Sequence, residues 1–261
     1  MSWTPHNCTL PLQVRHDIMF PQCHGGQKAE VRVTLVNYTP NPELTIVAAA
    51  RSSASHSTIE ELWNKLESQQ IDSLLKQLVD SGHLSPFEHA SFTFNIQGIS
   101  RVTSHQLVRH RIASYTQQSQ RYVKLTERQY ITPLTISRNS ALANKYHQAA
   151  NAAYELYSQM LEAGIPAEDA RYILPQAVET QLVMTMNARE LIHACSLRLC
   201  LRAQWEILEL FEKIKAEVEK VAPRIGAELK PKCYRLGYCD ERESCGIFPV
   251  LSPSDIEAKR K

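Results

Sequence analysis

The chain has 261 residues, 43% of them hydrophobic, and its 29 basic and 27 acidic residues leave a formal charge of +2 at pH 7. That length permits one large domain or two small ones, with ample apolar mass for a buried core; the near-balanced charge argues against a broad nucleic-acid surface, which shows as a basic excess. No apolar run approaches the roughly 20 residues of a membrane span, and no basic-then-apolar leader opens the chain, so a cytoplasmic protein is expected, read as a single domain over residues 1–261 with a loose polar tail from about Leu251.

Val31, Val33 and Leu35 alternate with Arg32 and Thr34, a period of two that predicts an early strand. Ser57-Thr58-Ile59-Glu60 reads as a capping box, with Ile59, Leu62, Trp63 and Leu66 following at helical spacing. A second helix through Leu74, Leu75 and Leu78 should stop at Gly82. Phe92, Phe94 and Ile96 alternate with polar neighbours and predict a strand, followed by a helix from about Ser100 into Arg109 and then a loop. Leu142, Tyr146, Ala149, Ala153, Leu156 and Met160 mark the apolar stripe of a long helix, punctuated by Gly164 and Pro166. A short helix carrying Arg171 ends at Pro175. Leu182, Met184 and Met186 predict a further strand, after which Ala188 to Val221 reads as helical with a break near Cys200 and a stop at Pro223.

Between Arg109 and Tyr122 the chain reads Arg-His-Arg-Ile-Ala-Ser-Tyr-Thr-Gln-Gln-Ser-Gln-Arg-Tyr, three guanidiniums and an imidazole among hydroxyls and amides. The segment contains no Lys and no carboxylate, so it lacks the mixed-sign pattern of an ordinary solvated face. A guanidinium presents a planar fork of donors that matches phosphate oxygens two at a time, and Ser or Gln beside it completes the contacts without adding charge. An anionic, ring-bearing ligand such as a nucleotide fits that chemistry; the bland alternative is a basic surface loop.

The spacing Arg109-His110-Arg111, seven residues, Ser119 resembles the signature of the flavin-dependent thymidylate synthases, and Arg121-Tyr122 continues it. The longer form of that signature usually has Asn at the place of Thr116 and often an acidic residue at Gln117. Three further blocks are similar and in the same order. Ser85 lies in a segment resembling the family's flavin-contacting stretch, with Ser53 at a second such position. Ala170-Arg171-Tyr172-Ile173-Leu174-Pro175 resembles an element whose Arg reaches substrate. Asn187-Ala188-Arg189-Glu190-Leu191, continuing to Ala203-Gln204-Trp205-Glu206-Ile207, resembles the second cofactor and substrate segment, with Arg202 where a His is often found.

The resemblance implies an α/β (α+β) fold with a central, mostly antiparallel sheet flanked by helices, and conversion of dUMP to dTMP with carbon from methylenetetrahydrofolate, reducing equivalents from NADPH through FAD, and release of tetrahydrofolate. It further implies FAD contacts from Ser85, Arg109, His110, Arg111, Gln117, Asn187, Ala188, Arg189 and His193. dUMP contacts would come from Gln106, Leu107, Val108, Arg109, Gln117, Gln118, Ser119, Gln120, Arg121, Arg171 and Arg198. Arg198 is the expected catalytic residue, and the family's homotetramers share active sites between subunits. Two rivals are a non-catalytic module that uses the Arg cluster on phosphates, and a flavin enzyme acting on another nucleotide.

No metal is expected. His83 and His89 lie six apart across a Pro with no Cys nearby, unlike the tight pairs of zinc sites. The Cys23-His24 pair resembles the nucleophile of ordinary thymidylate synthases, but the rest of that pattern is missing, so it reads as a decoy. Seven cysteines, an odd number, fit reduced thiols. Cys233, Cys239 and Cys245 are separated by five residues each and read as structural thiols, a metal or a regulatory disulfide being the alternatives.

Overall fold

The structure, a computed structural model, describes residues 30–260; Cys8, Cys23 and His24 lie outside them. Four strands, β1 (Arg32–Tyr38), β2 (Ser91–Ser100), β3 (Ala113–Gln117) and β4 (Glu179–Asn187), form one sheet in the order β1-β2-β4-β3 with every neighbouring pair antiparallel. The helices are α1 (Pro42–Ser52), α2 (Ile59–Lys65), α3 (Ser68–Asp80), α4 (Arg101–Leu107), α5 (Leu134–Ser137), α6 (Ser140–Glu162), α7 (Ala167–Ala170), α8 (Ala188–Arg198), α9 (Trp205–Val221), α10 (Pro223–Glu228), α11 (Lys232–Leu236) and α12 (Pro253–Arg260). This is the expected antiparallel sheet with flanking helices.

Alternation in β2 and β4 decides which face of the sheet is covered. Phe92, Phe94 and Ile96 stand opposite Met186, Met184 and Leu182, and all six are buried. They pack with Leu191, Ile207, Phe211 and Ile214 from α8 and α9 into the main core. Each such side chain contributes roughly 1.5–3 kcal/mol on burial. The opposite face is polar along the same strands: Thr93 and Thr185 hydroxyls hydrogen-bond at 2.9 Å, and Gln97 Nε2 donates to Gln181 Oε1 at 3.0 Å. β2 bulges between Ile96 and Ile99 around Gly98, which has a φ of 73° and lies so close against the Glu30 carbonyl that a Cβ would collide with it; only glycine fits.

Several sequence expectations shift. The first N-cap is displaced by one residue: Thr58, not Ser57, caps α2 by accepting from the Glu61 N–H, and the reciprocal capping box lies at Glu67 and Gln70 before α3. α3 does end at Gly82, with φ of 72° and a 2.8 Å bond from the His83 N–H to the Leu78 carbonyl that closes its last turn. The loop expected after Arg109 contains β3, whose few apolar residues concealed it and whose pairing with β4 creates it. The stripe chosen for α6 is not its buried face: Ala150, Tyr154 and Tyr157 are buried, while Leu142 is 54% and Leu156 40% exposed. Pro223 follows the end of α9 at Val221 as expected, and it also opens the first turn of α10. Residues 253–260 of the polar tail form α12.

Glu206, near the start of α9, is buried and accepts from both the Ser100 N–H (2.5 Å) and Ser100 Oγ (2.6 Å), while Ser100 Oγ itself accepts from the Thr103 N–H as the N-cap of α4. One carboxylate thereby fixes the helix that delivers Gln106 to Arg109. Replacing Glu206 with Ala leaves two buried donors without a partner, and we expect a loss of about 2–4 kcal/mol, read as a lowered urea midpoint; unchanged stability would show that the anchor carries no weight.

Candidate active site

Antiparallel pairing forces three segments together at one end of the sheet. Ser91 stands opposite Asn187, and Ala113 opposite Met186. The turn Ser85–His89 before β2, the Arg109–Ile112 turn before β3 and the start of α8 after β4 must therefore meet. The Ala188 N–H donates to the Ala90 carbonyl at 2.8 Å, and Arg189 pairs with Glu88 across the same junction.

His110 sits at the centre of this junction and is 5% exposed. Its Nδ1 lies 3.1 Å from Glu190 Oε1, and its Nε2 accepts from Arg198 Nε at 3.0 Å. An arginine N–H can only donate, so Nε2 is the bare nitrogen and Nδ1 carries the proton that Glu190 receives. Burial, then the Arg198 and His193 charges, push the His110 pKa down to about 4. The ring is neutral at physiological pH. Tyr115 Oη donates to the carbonyls of both Leu107 and His110 at 2.9 Å, pinning the turn that presents the ring.

The electrostatics point to an anion. Burial, and secondarily the nearby Arg109 charge, holds the Arg198 guanidinium below its ordinary range. Among the described residues no carboxylate pairs with Arg109, Arg111 or Arg198. The start of α8 adds a helix dipole, with Asn187 Oδ1 capping the Glu190 N–H at 2.8 Å. Arg109 and Arg111 on the turn and Arg198 in the last turn of α8 are cations without a carboxylate partner, a set that suits phosphate or pyrophosphate.

His110, Glu190 and the exposed His193 also gather their ligand atoms within 4.8 Å. Both nitrogens of His110 are already engaged, one of them by a guanidinium, and a further cation beside Arg198 and Arg109 would be repelled. Within the trio, Glu190 fixes one side of the His110 ring while Arg198 holds the other.

The remaining expected residues lie at the other end of β3, four residue steps of about 3.3 Å away. Gln118 donates through its N–H to the Gln181 carbonyl, Ser119 Oγ caps the Arg121 N–H, and Arg121 pairs with Glu168 at 2.5 Å. Arg171 Nε donates to the Glu168 carbonyl, and its charge, after burial, depresses the Arg101 pKa. A cavity of about 310 Å³ opens here, lined by Gln118, Lys124, Tyr154, Glu179 and Gln181. One chain thus holds two separate clusters. The first contains Ser85, Arg109, His110, Arg111, Asn187, Ala188, Arg189, His193 and Arg198; the second contains Gln118, Ser119, Gln120, Arg121 and Arg171.

Some expected residues serve the fold. Leu107 and Ala188 are fully buried, so their side chains face the core, and Val108 is 40% exposed beside them. Gln117 Nε2 donates to Ser104 Oγ (3.0 Å) and Thr180 Oγ1 (3.1 Å), so its departure from the usual acidic residue is absorbed inside the protein. Ser53 Oγ donates to the Ala50 carbonyl on the surface. Glu190, Tyr115 and Glu206 were missed as site builders; an acid one residue after Arg189 looks like an ordinary first-turn Glu until the fold sets it against His110.

A family model described as "Thymidylate synthase complementing protein" matches residues 34–224. The chain belongs to the flavin-dependent thymidylate synthase family. It is 48% identical over 221 residues to the flavin-dependent thymidylate synthase of Pyrococcus abyssi, covering 82% of this chain and 91% of that one, and 46% identical over 239 residues to the Pyrococcus furiosus protein of the same name, covering 88% and 96%. Its fold is similar to that of the UMP/dUMP methylase PolB from Streptomyces cacaoi bound with 5-Br dUMP, with a TM-score of 0.69 at 27% identity over 76% of this chain and 94% of that one. The family match begins after β1 has started and ends in α10, so it contains both clusters.

An unfolded His110 takes up a proton as pH falls through 6.5, whereas the folded one resists until about 4. The folded state therefore loses stability as pH drops across that window, by up to roughly 3 kcal/mol. Glu190, whose carboxyl burial holds above its usual range, titrates in the opposite sense. The difference between the native chain and His110→Gln isolates the imidazole. We expect the native denaturation midpoint to fall more steeply between pH 6.5 and 4 than that of the variant; parallel profiles would refute a neutral buried ring.

Proposed function

We propose that this protein is a thymidylate synthase that reductively methylates dUMP to dTMP, with methylenetetrahydrofolate as carbon donor, NADPH as reductant and FAD as cofactor, releasing tetrahydrofolate. The observation that carries this reading is the junction of the Arg109-His110-Arg111 turn with α8, which gathers unpaired guanidiniums around a neutral, oriented imidazole. The family membership supports the flavin, and the donor set fits it: Arg109, Arg111, Arg189, Asn187 and the α8 N-terminus suit its phosphates, with His110, His193 and Ser85 alongside. When bound, the flavin would carry the reducing equivalents between NADPH and the new methyl group.

The chain's own residues position and polarise. Arg198 spends its Nε on His110, leaving its terminal Nη groups for a ligand. A guanidinium at the uracil edge favours negative charge on the N3 and O4 region, which raises the electron density at C5 and makes it the nucleophilic carbon. Neutral His110 holds that guanidinium without competing for its charge, and Glu190 fixes the imidazole tautomer. A side-chain nucleophile is not required.

The two clusters within one chain support an assembly in which Arg198 of one subunit works beside Ser119, Gln120, Arg121 and Arg171 of another, a homotetramer with shared sites. Ile112 (67% exposed), Tyr122 (78%) and Tyr172 (86%) present apolar surface beside both clusters, and Leu142 and Leu156 do so along α6. In the proposed assembly a partner subunit covers these side chains. A soluble cytoplasmic enzyme with no nucleic-acid or membrane partner completes the proposal; no described helix is long and apolar enough to cross a membrane.

Purification without added cofactor should give yellow protein that oxidises NADPH only when dUMP and methylenetetrahydrofolate are present. Colourless protein that FAD does not reconstitute would remove the reading. Arg198→Ala should lower turnover at least about a hundredfold while flavin content stays near normal; near-normal turnover would remove Arg198 from the chemistry.

A further inference from the structure

Four cysteines far apart in the chain meet on one small cavity. Cys200 follows α8, Cys233 lies in α11, and Cys239 and Cys245 lie in the irregular segment beyond it. All four line a cavity of about 20 Å³, the size of a single ion, together with Lys232 and Phe248. The segment they join is held by local contacts such as the Cys239–Val250 β-bridge, the Tyr234–Phe248 ring pair and the Lys232 ion pairs. The main core ends at Leu229, and no described residue after it joins that cluster. Short stretches that cannot bury their own core are commonly held by a metal or disulfides.

We propose that Cys200, Cys233, Cys239 and Cys245 form a structural tetrathiolate site for one zinc ion. The ligand set is the soft, all-sulfur one that selects zinc in a closed tetrahedral site. The surroundings fit thiolate ligands. The Arg202 backbone N–H is directed at Cys200, a donor of the kind that stabilises a metal-bound sulfur. Gly237, with φ of 72°, ends α11 and turns the chain back between Cys233 and Cys239. The Cys239 N–H donates to the Pro249 carbonyl at 2.8 Å, which sets the third ligand on a fixed backbone.

Charge supplies a second argument. Lys232 is already paired with Asp240 (3.0 Å) and Glu241 (2.9 Å), and Arg202 with Glu243 (3.1 Å), so the surrounding cations are taken. A divalent ion is the charge that would let four thiols ionise together; its binding releases four protons and forms four Zn–S bonds, with no redox change. The four sulfurs line the cavity without lying within 4.8 Å of one another as His110, Glu190 and His193 do, so an ion bound at about 2.3 Å from each would draw them inward.

The site lies two residues beyond Arg198, at the end of α8, and α11 packs on that helix. A zinc ion there would staple the C-terminal segment to the helix that carries the proposed catalytic guanidinium. Such a site is independent of the proposed reaction, because it governs metal content and stability.

The test uses full-length, flavin-loaded protein prepared under reducing conditions without chelator. Elemental analysis should find about one zinc per chain, and the double variant Cys233→Ser/Cys245→Ser should lose at least about tenfold of it while retaining flavin and showing a lower Tm. As a check that does not depend on the variant folding, native protein stripped of metal and titrated with Co2+ should develop the far-red bands of a tetrahedral cobalt thiolate, clear of flavin absorption. Metal-free protein without a cobalt spectrum overturns the proposal. So does an intact mass showing disulfides among these cysteines, or stoichiometric iron with sulfide, which would mean a cluster in place of a single ion.

Discussion

The hydrogen-bonded run from Arg198 through His110 to Glu190 is the constraint around which the site is organised. It joins the turn before β3 to the helix after β4, and it works only if the imidazole stays neutral. A protonated ring would leave Arg198 without an acceptor and bring two positive charges together in a buried place. Burial, then the Arg198 and His193 charges, prevent that, so the guanidinium that His110 orients also helps to keep the imidazole neutral.

The sheet makes this possible. With β4 between β2 and β3 and all neighbours antiparallel, the entrances to β2 and β3 and the exit of β4 share one edge of the fold. The exits of β2 and β3 share the other, where Arg101, Arg121 and Arg171 collect. The signature spans β3 from end to end, so its two halves stand about four residue steps apart within a single chain. Glu206 couples the arrangement to the core by holding the helix that carries the first half.

Much of the fold was legible where period and burial agree: β1, β2 and β4 each alternate cleanly, and α3 ends at a glycine that only a left-handed turn would require. β3 was hidden because Ala113 and Tyr115 are its sole apolar residues and its register comes from β4. The stripe on α6 misled because apolar residues there face away from this chain's core, and the buried tyrosines Tyr154 and Tyr157 spend hydroxyls on the backbone carbonyl of Gln129 and the N–H of Leu125. Within the site, arginines could be read from spacing and resemblance. Glu190 and Tyr115 could not, since their roles depend on which segments the sheet brings together, and four cysteines at unhelpful spacing gained meaning only through convergence.

A double-mutant cycle on dUMP binding to the flavin-loaded protein tests the coupling most directly, using Arg198→Gln, His110→Asn and the pair, with affinities from calorimetry. If His110 acts by orienting Arg198, the two losses should overlap, with a coupling energy above about 1 kcal/mol. Losses that add within about 0.3 kcal/mol would mean that the two residues act independently, and the imidazole would not be what orients the guanidinium.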